Sequence, residues 1–109
     1  MNCVGKGKRV QLLARDSLVH DGYLVEVVPH LRFKKDYFNL FDLICVGHGF
    51  VRFIQVKSGR RPDLDWYLRC KAWLKDTSLD VTLNSRVRVE VWVWKCGGKA
   101  ASHWWKDEV

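Results

Sequence analysis

The sequence predicts an α/β domain in which helices flank a small mixed sheet. Two segments with apolar residues at three- and four-residue spacing, one from Val10 to Asp21 and one following Asp63, read as helices. Runs rich in β-branched and aromatic residues lie between and after them and read as strands. The expected order is helix, three strands, helix, strand, on a single domain spanning residues 1–109, because a chain of 109 residues supports one modest core but not two.

Residues 1–9, with Lys6, Lys8 and Arg9 among glycines, read as a flexible basic lead-in. Val10, Leu13, Ala14, Ser17, Leu18 and Asp21 then share one helical face, and Gly22 is placed to end that helix in a left-handed cap. Tyr23 to Val28 reads as a strand stopped by Pro29. The segment that follows carries His30, Arg32, Phe33, Lys34, Lys35, Asp36, Tyr37 and Phe38. A basic loop with interleaved rings either meets phosphates and bases or caps the core with its aromatic residues.

Residues 41–57, FDLICVGHGFVRFIQVK, contain two apolar runs separated by Gly47-His48-Gly49, the pattern of a β-hairpin. Ser58 to Pro62 is a turn, and Asp63 is an N-cap for the second helix. On that helix Leu64, Tyr67, Leu68, Lys71 and Leu74 line one face and Trp66, Cys70 and Trp73 an adjoining one, so packing on more than one side is expected. A short run, Val81 to Leu83, precedes turn residues Asn84 and Ser85. Arg86 to Lys95 alternates strictly, with Val87, Val89, Val91 and Val93 facing one way and Glu90, Trp92 and Trp94 the other. Gly97-Gly98 opens a C-terminal tail, 97–109, whose Trp104 and Trp105 either fold back on the sheet or cover a partner surface.

Composition narrows the function classes. A formal net charge of +7, from 19 Lys and Arg against 12 Asp and Glu, favours a polyanionic partner. No run approaches the roughly 20 apolar residues that cross a bilayer, and no signal-peptide apolar run follows the basic N-terminus, so a soluble cytoplasmic protein is expected. Cys3, Cys45, Cys70 and Cys96 form no Cys-x-x-Cys pair, and the histidines lack His-x-x-x-His spacing, which argues against structural zinc and a redox dithiol. Internal repeats and Gly-rich phosphate loops of the Walker or dinucleotide type are absent.

The hairpin carries the chemistry-bearing groups. Strand alternation puts Gln55 and Lys57 on one face, and pairing to the first hairpin strand can bring Asp42 beside them. Metal-dependent phosphodiester cleavage needs a carboxylate to hold a divalent cation and a cationic group to orient water or stabilise charge. Asp42 can be the first and Lys57 the second, while the Gln55 amide oxygen and the Val56 carbonyl suit Mg2+ or Mn2+. The competing explanation is that these polar residues merely mark strand ends.

Phe41-Asp42-Leu43-Ile44, a short hairpin and Ile54-Gln55-Val56-Lys57-Ser58 together resemble the PD-(D/E)xK nuclease core. The helix ending at Gly22-Tyr23 and the basic loop before Asp42 resemble the archaeal-type Holliday junction resolvases within that superfamily, over roughly residues 6 to 75. The resemblance implies a restriction-endonuclease-like core in the order α-β-β-β-α-β. It also implies a metal-dependent endonuclease acting on branched DNA as a homodimer, with Asp42 as metal ligand and Lys57 as base-positioner or phosphate stabiliser. Lys6, Lys8, Arg9, Arg32, Lys34, Lys35, Ser58, Arg60 and Arg61 are the candidate DNA contacts.

Three positions depart from the pattern. Gln55 replaces the middle acid, Gln11 stands at or near the position of the first-helix acid, and Phe41 replaces the proline before the aspartate. Two missing carboxylates remove much of the charge that holds a metal. Asp16, Glu26 or Asp36 could substitute. Alternatives are a binding module on the same fold without the chemistry, and a protein-interaction domain using Trp92, Trp94, Trp104 and Trp105.

Overall fold

The computed structural model describes residues 8–28, 37–38, 40–78, 86–96 and 101–109. Among these, the elements are α1 (Lys8–His20), β1 (Leu24–Val27), β2 (Leu43–Gly47), β3 (Phe50–Ser58), α2 (Leu64–Asp76), β4 (Val87–Lys95) and β5 (His103–Glu108). The strands form one sheet in the spatial order β1-β2-β3-β4-β5, with β3 and β4 parallel and the other neighbours antiparallel. The parallel pair is joined through α2, because parallel strands need a crossover where antiparallel ones need only a turn. No helix among the described residues is long and apolar enough to cross a membrane.

Local chemistry accounts for each junction. Val10, Ala14 and Leu18 recur at four-residue spacing on α1 and all are buried. The helix stops in a Schellman motif: the Tyr23 N–H donates to the Leu18 carbonyl and the Gly22 N–H to Val19, with Gly22 at φ +94°. Residues His48 (φ 52°) and Gly49 (φ 82°) form the two-residue loop between β2 and β3. Positive φ at both positions gives the turn twist that matches paired strands. Asp63 caps α2, its Oδ1 accepting from the Trp66 N–H at 3.2 Å.

The sheet separates two apolar clusters. On the α1 side Val10, Ala14 and Leu18 pack on Leu43, Cys45, Ile54, Val56 and Trp92. On the other side Trp66 and Cys70 of α2 pack with Leu40, Phe41, Val89, Val91 and Val93. Phe53 and Trp73 join that second cluster, with ring centroids 5.1 Å apart. The alternation of β3 is what assigns faces: Ile54 and Val56 enter the α1 cluster, so Phe53, Gln55 and Lys57 face α2.

Three sequence expectations are corrected. The segment read as a tail contains a strand, β5, which pairs antiparallel with β4 and folds its tryptophans onto the sheet. Trp104 packs against Trp92 and Trp94 at centroid distances of 5.4 and 4.9 Å, and Trp92 is 1% exposed. Helix α1 begins at Lys8, so Lys8 and Arg9 belong to it and not to the lead-in. On α2 the packed face takes in Trp66, Cys70 and Trp73 together with Tyr67 and Leu74, while Leu64 and Leu68, predicted on one face with the last two, are 71% and 55% exposed. The predicted run Val81–Leu83 lies outside the described residues.

Candidate functional site at the hairpin and the end of β3

Asp42 occupies the bend where the chain enters β2. Its N–H donates to the Ile54 carbonyl and its carbonyl accepts from the Val28 N–H, each at 2.9 Å, so the backbone is held from both neighbouring strands. The register with Leu43 opposite Ile54 sets Asp42 opposite Gln55. Its side chain is buried, and Oδ2 accepts from the Val56 N–H at 2.9 Å. What Val56 brings to Asp42 is thus an amide hydrogen, while its side chain enters the α1-side core.

The Gln55 amide faces two acceptors. With its nitrogen turned inward it donates to the Leu40 carbonyl at 2.7 Å and to Asp42 Oδ2 at 3.2 Å. The same carbonyl accepts from Trp66 Nε1 at 3.0 Å, which anchors it in the α2-side core. With the amide reversed, its oxygen would meet the Leu40 and Asp42 oxygens at those separations, an arrangement that only a cation stabilises. Adjacent oxygens around Mg2+, at metal–oxygen distances of 2.0–2.1 Å, are about 3.0 Å apart. Asp42, Gln55 and the Leu40 carbonyl are therefore the oxygen-bearing groups that meet at this point of the hairpin, with a single formal negative charge. Among the described residues no group of three or more His, Cys, Asp or Glu side chains is placed to hold a metal.

Lys57 lies half-buried on the same face as Gln55, two residues along β3. The acids proposed to complete the site separate. Glu26 pairs in register with Ile44 on β1, so alternation puts it on the Asp42 face. Burial, then the Glu26 carboxylate, pushes the Tyr37 phenol pKa up, which sets that charge near the Tyr37–Phe41 bridge beside Asp42. Asp16 is on the exposed side of α1, paired with Arg15 at 2.9 Å, and Asp36 lies outside the described residues. Gln11 is buried in α1, and Phe41, in the position of the motif proline, is a fully buried core ring against Phe53, Trp66 and Trp73.

Beyond Lys57 the sheet ends in a basic cleft of about 390 Å³ lined by Gly59, Arg60, Arg61, Lys95 and Trp105. Lys95 Nζ donates to the Gly59 carbonyl at 2.7 Å, and the Gly59 N–H donates to the Trp94 carbonyl at 3.0 Å. The Arg61 guanidinium stands 5.7 Å from the Trp105 ring centroid. Of the candidate DNA contacts, the structure brings Arg60 and Arg61 to this cleft, ends β3 at Ser58 with its side chain on the α1 face by the same alternation, and leaves Arg9 exposed on α1. Lys6, Arg32, Lys34 and Lys35, together with the side chain of Lys8, lie outside the described residues.

Sequence reasoning did not place Leu40, Lys95 or Trp105 beside these residues. Leu40 is there through a backbone carbonyl, which no residue type announces. Lys95 and Trp105 become neighbours of Arg61 only through the β4–β5 pairing.

These features define a class by fold and site: a mixed α/β sheet whose β2–β3 hairpin carries an Asp–Gln–Lys constellation beside a basic cleft. No protein-family model and no curated protein matches the chain.

Proposed function

We propose that the chain is a metal-dependent endodeoxyribonuclease of the PD-(D/E)xK type, cutting branched DNA in the manner of a Holliday junction resolvase. The observation that carries this reading is the meeting of Asp42 and Gln55 across the β2–β3 register, with Lys57 on the same face and the basic cleft beyond it. Asp42, Gln55 and the Leu40 carbonyl would hold Mg2+ or Mn2+, which supplies Lewis-acid polarisation of the scissile phosphate and of the attacking water. Lys57, on a rigid strand, offers its ammonium to the charge that grows on the phosphoryl oxygens. Arg60 and Arg61 hold the flanking backbone without reading its sequence. A four-way junction has near-twofold symmetry, so paired nicks call for a homodimer presenting two such sites.

Cleavage of a four-way junction and of linear duplex, with and without Mn2+, tests this. Metal-dependent nicking of the junction is expected, lost in Asp42→Asn and in Lys57→Ala with folding intact. Absence of cleavage of branched, duplex and single-stranded DNA over a metal series would refute it. A binding module lacking the chemistry is the second reading, favoured by the Gln55 amide nitrogen satisfying Asp42 Oδ2. That reading calls for DNA binding without cleavage, indifferent to Asp42→Asn.

A further inference from the structure

We propose that the cleft between the β3–α2 turn and the two C-terminal strands is a phosphate subsite that grips the DNA strand beside the cleavage site, with Lys95 and Trp105 as its positioning residues. This rests on the reading of the partner as DNA. Among the described residues, the cleft is lined by Arg60, Arg61 and Lys95, all cationic, with Gly59 and the Trp105 indole. Like charges gathered around one opening repel one another, and an anion between them relieves that cost.

The cleft is held in shape by two contacts across it. Lys95 reaches across from β4 to the Gly59 carbonyl, which ties the turn to the sheet while leaving its ammonium two further N–H groups. The Arg61 guanidinium lies over the Trp105 ring, and a guanidinium held against an aromatic face loses less freedom when it forks onto a phosphate. A Cβ built on Gly59 would meet nothing within 4 Å, so the backbone there is open to close approach.

Position agrees with charge. The backbone of Ser58, which precedes Gly59 of the cleft wall, is three residues beyond Gln55 on β3, about 10 Å at a strand's rise. A strand carries a charged phosphate at every nucleotide, so a second phosphate falls within that span. Trp105 packs with the α2-side cluster, the sheet face that Gln55 and Lys57 share. One strand of DNA can therefore pass over the hairpin site and lodge a phosphate in the cleft.

The test is binding of a fluorescent four-way junction, followed by anisotropy in EDTA over a salt series. Wild type is compared with Arg60→Gln, Lys95→Gln and Trp105→Phe, and with Lys71→Gln on the outer surface of α2 as a control of equal charge change. The expected result is a salt slope lowered by about 0.9 for each cleft cation removed, and unchanged for Lys71→Gln. Trp105→Phe should weaken binding severalfold without changing the slope. Arg60 is exposed, so Arg60→Gln gives the answer even if Lys95→Gln disturbs the turn. Junction binding with an unchanged slope in Arg60→Gln and Lys95→Gln overturns the subsite and leaves the nuclease reading standing. Absence of DNA binding by wild type overturns both.

Discussion

Gln55 is the residue on which the proposed chemistry turns, because one side chain can serve two opposite needs by rotating its amide. Nitrogen inward, it donates to Asp42 and to the Leu40 carbonyl; oxygen inward, it completes a set of oxygen donors. Gln55→Glu removes that choice. A carboxylate there would face the Asp42 carboxylate and a carbonyl with no proton to share, so the metal-free variant should melt below wild type. Mn2+ should then restore it, by about 2.7 kcal/mol at one hundred times its dissociation constant. Calorimetric titration should show tighter Mn2+ binding than in wild type, and an unchanged affinity would remove Gln55 from the metal site. The pairing of Asp42 with the hairpin's second strand was legible in the sequence, from alternation and a Gly-containing turn. The amide's orientation was not, because it depends on a backbone carbonyl positioned by Trp66.

Among the elements, β5 changes the meaning of its neighbours most. Paired with β4, it covers the indole of Trp92 with Trp104 and brings Trp105 to Arg61. Of the tryptophans that could have formed a partner surface, Trp92 is buried and Trp94, Trp104 and Trp105 are half-buried against the sheet. Trp104→Ala should lower stability by about 3 kcal/mol, the lower part of the range for truncating a packed tryptophan, because the ring is only partly enclosed. Urea unfolding of the variant checks this, and a loss under about 1 kcal/mol would mean that β5 adheres by its backbone bonds alone. The strand was hidden in the sequence because His103 to Glu108 reads HWWKDE, with neither an apolar alternation nor a β-branched residue. Only the edge of β4 supplies its partner. Helix α2 departs in the opposite sense: of the leucines on its predicted face Leu74 packs on the core, while Leu64 and Leu68 stay exposed.

At the scale of the whole molecule, one ion pair ties the parallel centre of the sheet together away from the site. Arg52 on β3 forks onto Glu90 on β4 with both N···O distances 2.6 Å, and Trp92 Nε1 adds a third bond to Glu90 at 3.0 Å. Burial by itself would raise the Glu90 carboxyl, but hydrogen bonds from Arg52 and Trp92 and the Arg52 charge outweigh it and hold the pKa below the ordinary 4.5. A carboxylate with a lowered folded pKa contributes stability that is complete above its unfolded value and is lost as pH falls through the folded one. The thermal midpoint should accordingly fall as pH drops below about 4.5, and Glu90→Gln should flatten that part of the profile. At neutral pH, removing one partner should cost about 3–5 kcal/mol, whereas Arg52→Met with Glu90→Leu should recover most of the loss, since no charge is then left buried alone. A double variant as unstable as the single ones would show that the pair does more than satisfy itself.

By itself the sequence determined both helices, the hairpin and β4, because caps, periodicity and a Gly-containing turn act over a few neighbours; the register that sets Asp42 opposite Gln55 came with the pairing of Gly47 and Phe50. Tertiary structure alone decided that β5 joins the sheet, that Glu26 shares the face of Asp42 while Asp16 does not, and that Lys95 and Trp105 complete the basic cleft. Those outcomes depend on which strands lie side by side. Strand order is set by the burial of whole faces against α1 and α2, a sum over residues far apart in the chain that no local pattern records.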